Sequence, residues 1–152
     1  MKSSDGSDGQ RTAPMKISIP DRSLYYKGLM ILVRRDREIH EKEKKFMMSI
    51  GKKLGFDRKF CAKTMEDILV NHYITDEPPR FSQAGVARSF LLDGLKLSAA
   101  DGQIHEAEIS WLTSVAKQNG LADFWNEELV KFRSSPPAGI SGDHFEVTKF
   151  QW

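Results

Sequence analysis

The chain has 152 residues, 39% of them hydrophobic and 29% charged, which suits one soluble domain with a core of its own. A net charge of +2 is too small to argue by itself for nucleic acid or an acidic membrane. The single cysteine, Cys61, excludes an intrachain disulfide and a thiolate zinc cluster within one chain, and fits a reducing cytoplasm.

Met1 to Ala13 is built of Ser, Asp, Gly and Gln with almost nothing to bury, and reads as a disordered arm; Pro14 to Pro20 is a short leader. Residues 1–20 contain no apolar signal core, so no secretion signal is expected. The first helix starts near Asp21 or Ser23, either of which can cap it, and stops around Arg35-Asp36. Its aliphatic run, Leu29 to Val33, is far short of the roughly 20 residues a bilayer requires. A second helix runs from about Ile39-His40 to Leu54, with Phe46, Met47, Ile50 and Leu54 as its apolar stripe and Gly55 at the left-handed cap. Asp57 caps a third, through Phe60, Met65, Ile68 and Leu69. Paired prolines at Pro78-Pro79 break the pattern. Ser82 then caps a helix to about Ala99. A turn at Asp101-Gly102 leads to a helix from His105 to Asn119, ended by Gly120, and Asp123 to Phe132 is the last helix. Residues 134–152 form a tail: a loop, then His144 to Trp152, whose partial alternation leaves strand or coil open. No strand pair stands out, so the fold class is all-α, with one helical domain over residues 21–133.

That domain repeats itself. Asp36-Arg37-Glu38-Ile39-His40-Glu41-Lys42-Glu43 matches Asp101-Gly102-Gln103-Ile104-His105-Glu106-Ala107-Glu108 at an offset of 65, with Asp, Ile, His and both Glu identical. Beyond the motif, Phe46 lies over Trp111, Ile50 over Val115, Gly55 over Gly120 and Phe60 over Trp125. Two pseudo-symmetric copies of helix, tight turn, helix, cap glycine, helix are expected, packed about a pseudo-two-fold axis by analogy with symmetric dimers.

Within one copy, His40 and Glu43 are three apart and share a helix face, and Asp36 precedes them at the turn. Asp101, His105 and Glu108 repeat the arrangement. Should the turns meet, up to six ligand groups converge. Imidazole with carboxylates suits a divalent metal ion, zinc first, with manganese, iron or nickel as alternatives; calcium and magnesium prefer oxygen alone. The plainer reading is that Asp caps each helix and the acids answer the macrodipole. It leaves the recurring histidine unexplained, because an imidazole gains little at a helix start. His72 and His144 read as surface or core, Cys61 and the methionines as core filler, and Trp111 and Trp125 as core.

At Leu29 to Val33, the Asp36 turn, and Ala99-Ala100-Asp101-Gly102-Gln103-Ile104 followed by Glu108, the chain resembles the TerB-like family, named for a bacterial tellurite-resistance protein. The resemblance spans Ser23 to Phe132. It implies an all-helical fold of two pseudo-symmetric halves and an acidic metal-binding centre, whose matching positions are Asp36, Glu43, Asp101 and Glu108. It also associates the chain with tellurite and other stress resistance.

The expected function is a non-enzymatic metal-binding module of a cytoplasmic bacterial stress system, acting through other proteins. The alternative is a metalloenzyme with a two-metal His/carboxylate centre, which must keep an open coordination position. No nucleophile, base or cofactor motif accompanies the cluster, so no catalytic residue is assigned. Residues 21–75 hold 13 Lys and Arg against 8 Asp and Glu, and residues 82–133 hold 5 against 7. The excess reads as a solvated basic face. A nucleic-acid binder using Lys44, Lys45, Lys52, Lys53, Arg58 and Lys59 lacks a fold signature and is not expected.

Overall fold

The computed structural model describes residues 15–34, 41–70, 76–99, 105–134 and 150–151. Among them the chain is all-helical apart from one minimal strand pair. The helices are α1 (Ile19–Val33), α2 (Glu41–Lys53), α3 (Arg58–Val70), α4 (Ala84–Ser98), α5 (Glu106–Gln118) and α6 (Ala122–Ser134). Strands β1 (Met15–Lys16) and β2 (Phe150–Gln151) pair in parallel, Met15 beside Phe150. They join the two segments read as leader and tail. A contact between residues so far apart in the chain leaves no local pattern, which is why the strand pair was not foreseen.

Burial explains the arrangement. In α1, Tyr25, Tyr26 and the unbroken run Gly28–Val33 are all buried. A helix apolar on every side belongs at the centre, and α1 packs against α2, α3, α4 and α5. Its counterpart α4 packs against α1, α5 and α6. Aromatic rings tie these centres together. Tyr25 meets Phe90 edge-on at 5.4 Å between centroids, and Phe90 also lies 5.2 Å from Phe81 and 6.2 Å from Trp111. The expected core residues Met47, Ile50, Leu54, Met65, Trp111 and Trp125 are buried, as is Cys61. Phe60, assigned to the same stripe, is instead 48% exposed.

Glycine sets how closely the central helices approach. A Cβ on Gly28 would lie 2.7 Å from the Phe90 ring, so Gly28 is where α1 meets α4. A Cβ on Gly94 would lie 2.7 Å from Leu112 of α5 and 3.4 Å from Leu32 of α1, so Gly94 chiefly seats α4 on α5.

Helix ends follow the sequence in some places and depart in others. Gly55 (φ 88°) and Gly120 (φ 69°) are left-handed. The amide after each reaches back five residues: Phe56 to the Gly51 carbonyl at 2.9 Å and Leu121 to that of Ala116 at 2.8 Å. Both ends are therefore Schellman caps. Asp57 caps α3, accepting the Phe60 N–H at 2.8 Å. The start of α1 lies earlier than expected: Ser18 is its cap, accepting the Asp21 N–H at 3.3 Å, and Pro20 sits in the first turn, where a missing N–H costs nothing. Asp21, freed from capping, is buried and accepts the Ser82 hydroxyl at 2.5 Å and its N–H at 3.2 Å. Ser82 therefore does not cap α4; Gln83 stands at that cap without a side-chain bond.

The boundaries of the first two helices in each half repeat as the motif does, and those of the third pair, α3 and α6, lie 64 apart. Ile19 and Ala84, Val33 and Ser98, Glu41 and Glu106, and Lys53 and Gln118 each lie 65 residues apart. Among the described residues, no helix is long and apolar enough to cross a membrane.

Candidate functional site

The first turns of α2 and α5 each hold two glutamates, and each pair divides the same way. Residues two apart on a helix point to nearly opposite faces. Glu41 and Glu106 face solvent, whereas Glu43 is 4% and Glu108 1% exposed. Both carboxylate oxygens of Glu108 are shielded from solvent. Glu41 lies 3.8 Å from Lys44. Glu106 accepts two hydrogen bonds from Arg133, each 2.9 Å, and these hold its carboxyl below the usual carboxylate range.

The division separates two roles. An exposed acid in the first turn answers the helix dipole while keeping its water. Glu41 and Glu106 do that, so the dipole gives no reason to bury a second acid beside each. A buried carboxylate is costly unless hydrogen-bond donors, a counter-charge or a metal receive it. Glu43 and Glu108, at positions 65 apart in the sequence, are the two first-turn acids turned inward.

His105 stands one position earlier than expected. It is the N-cap of α5, in extended backbone (φ −104°, ψ 107°), and its side chain is half-buried. Its carbonyl accepts the N–H of Glu108 at 3.0 Å and of Ile109 at 3.1 Å. His105 and Glu108 thus occupy the cap and third positions, which lie over the same first turn even though the histidine is outside the helix. The imidazole makes no capping hydrogen bond, so helix capping does not account for it.

Three of the six residues expected to bind metal, Asp36, His40 and Asp101, lie outside the described residues, as do His72 and His144. Among the described residues, no group of three or more His, Cys, Asp or Glu is gathered closely enough to hold a metal ion. Glu43, His105 and Glu108 thus do not form such a group by themselves. Their chemistry, two inward carboxylates and an imidazole, is nonetheless the donor set that borderline divalent ions take.

One buried acid escaped sequence reasoning. Asp93 of α4 is fully buried and accepts the Tyr25 hydroxyl at 2.6 Å. Its only signal is an acid within the apolar run Leu91-Leu92-Asp93-Gly94-Leu95, and its partner lies 68 residues away. No protein-family model, curated protein or solved structure matches the chain.

Proposed function

We propose that the chain is a non-enzymatic, metal-binding helical module that acts through partner proteins. Asp36, His40 and Glu43 from one copy and Asp101, His105 and Glu108 from the other supply the ligands. The ion is divalent, zinc first, with manganese, iron or nickel as alternatives. The observation that carries this reading is the burial of Glu43 and Glu108 at matching positions, each beside an exposed glutamate that already serves the helix dipole. The resemblance to the TerB-like family supports the same centre and adds the setting, a cytoplasmic bacterial stress or tellurite-resistance system.

The test is calorimetric titration of chelator-treated protein with zinc and with manganese. Wild type should bind saturably. Glu43→Gln and Glu108→Gln, which keep size but remove charge, should each weaken binding by at least about tenfold, roughly one lost charge-assisted ligand. Wild type that binds no divalent ion would overturn the proposal.

A further inference from the structure

A second candidate site lies between two helices of the first copy. An open groove of about 810 Å³ runs between α2 and α3. Met48, Phe56 and Cys61 give it an apolar floor, and Lys44, Lys45, Lys52 and Arg58 stand along it. Two acids also line it, and both are engaged: Glu41 pairs with Lys44, and Asp57 accepts the Phe60 N–H at the cap of α3. Lys45, Lys52 and Arg58 pair with no described acid. From Glu41 to Lys52 the groove follows α2 for roughly 16 Å, about three helical turns. Beyond Phe56 it meets a smaller hollow of about 340 Å³, lined by Tyr26, Phe60 and Ile68 among others. Phe60 is 48% exposed and packs tilted against Phe56 at 5.0 Å between centroids.

The second copy shows that this surface is not a by-product of the helical unit. At the positions 65 further on, Lys45 becomes Ser110, Arg58 becomes Asp123 and Met48 becomes Thr113. The counterpart of exposed Phe60 is Trp125, 1% exposed, its indole N–H donating to Thr113 at 2.9 Å. One copy covers its aromatic and, of the four basic positions, keeps only Lys117, the counterpart of Lys52; the other keeps its aromatic open and all four.

We propose that the α2–α3 groove docks an acidic amphipathic helix of a partner protein. The partner's apolar residues would seat on Met48, Phe56 and Phe60, and its carboxylates would face Lys45, Lys52 and Arg58. An apolar floor between charged walls fits a helix laid in a groove, with anchors repeating every three to four residues. Thioether and aromatic floors adapt well to such anchors. The apolar floor, which a phosphate backbone leaves uncovered, favours an amphipathic peptide over nucleic acid. The proposal is independent of the metal reading.

The probe is a fluorescein-labelled synthetic helix of about four turns, with Leu and Phe on one face and Glu on its flanks, measured by fluorescence polarisation. EDTA in the buffer keeps the outcome separate from metal binding. Wild type should bind it saturably and lose affinity as salt rises. Lys52→Glu with Arg58→Glu, both exposed, should weaken binding at least about tenfold in protein that still melts cooperatively. Phe60→Ser should weaken it as well, with the melting temperature unchanged. A shuffled peptide of the same composition should bind poorly. Absent saturable binding, equal binding of the shuffled peptide, or tighter binding of single-stranded DNA that displaces the helix would each overturn the proposal.

Discussion

Tyr26 shows how much one buried polar group can carry. It is 2% exposed, and its hydroxyl donates to the Met47 carbonyl at 3.1 Å, which ties α1 to α2. Burial, and after it the neighbouring Cys61 thiol, pushes the phenol far above its usual range. The raised value means that the fold favours the protonated, neutral form. That contribution is fully present below the unfolded phenol's value of about 10 and is lost as pH rises beyond it. Stability should therefore decline in alkali, and Tyr26→Phe should flatten that decline. At neutral pH the same substitution should cost about 0.5–1.5 kcal/mol, the net worth of a hydrogen bond. Urea melts of both proteins at neutral and strongly alkaline pH check this; identical alkaline slopes would refute it. The four first-turn glutamates make a related point at the same scale. Glu41, Glu43, Glu106 and Glu108 look alike in the sequence, and only tertiary packing separates the two that face water from the two that do not.

Elements were legible where their signals are local. Leu29–Val33 marks a central helix by being apolar on every side, and Gly55 and Gly120 mark helix ends because only left-handed backbone closes the cap there. Helix starts were less legible where the decisive partner is remote. Asp21 and Ser82 both resemble caps, yet they bond each other across 61 residues, and the capping of α1 passes to Ser18. Gly28 and Gly94 both sit at close helix approaches, the first between α1 and α4, the second chiefly between α4 and α5. Two predictions belong here. Gly28→Ala improves helix propensity by about 1 kcal/mol, but the new methyl would sit 2.7 Å from a buried phenyl ring. Overpacking of this kind costs about 1–3 kcal/mol, so the variant should be less stable than wild type in thermal melts. Gly94→Leu, pressed against fully buried Leu112, should be less stable still. An unchanged or higher melting temperature in either would show that the helices can move apart freely.

For the whole molecule, the all-helical class was the most legible feature; the repeated motif is plain in the sequence, and the helix lengths recur with it, at an offset of 65 for the first two pairs and 64 for the third. The candidate site is harder to read from sequence. A motif names residue types and spacing, but whether two turns separated by 65 residues converge depends on how the helices pack. The imidazole shows the limit of spacing arguments: His105 sits at the cap and not on the helix. The proposed centre is joint or divided, and the two cases predict different titrations. Binding to the folded state alone should stabilise the protein by about 2.7 kcal/mol at a hundredfold excess of ion over the dissociation constant. Because ligands must be deprotonated to bind, this stabilisation should shrink as the solution is acidified. In a joint centre, His40→Ala or His105→Ala should each weaken all of the bound metal, and the double variant should lose little more than either single one. In two separate centres, each substitution should remove only its own share, and the losses should add. Zinc titrations of wild type, both single variants and the double variant, followed by calorimetry and thermal melting, read stoichiometry and additivity together. Additive losses with halved stoichiometry would refute the joint centre while leaving metal binding intact; unchanged stoichiometry and affinity in all three variants would remove the histidines from the ligand set.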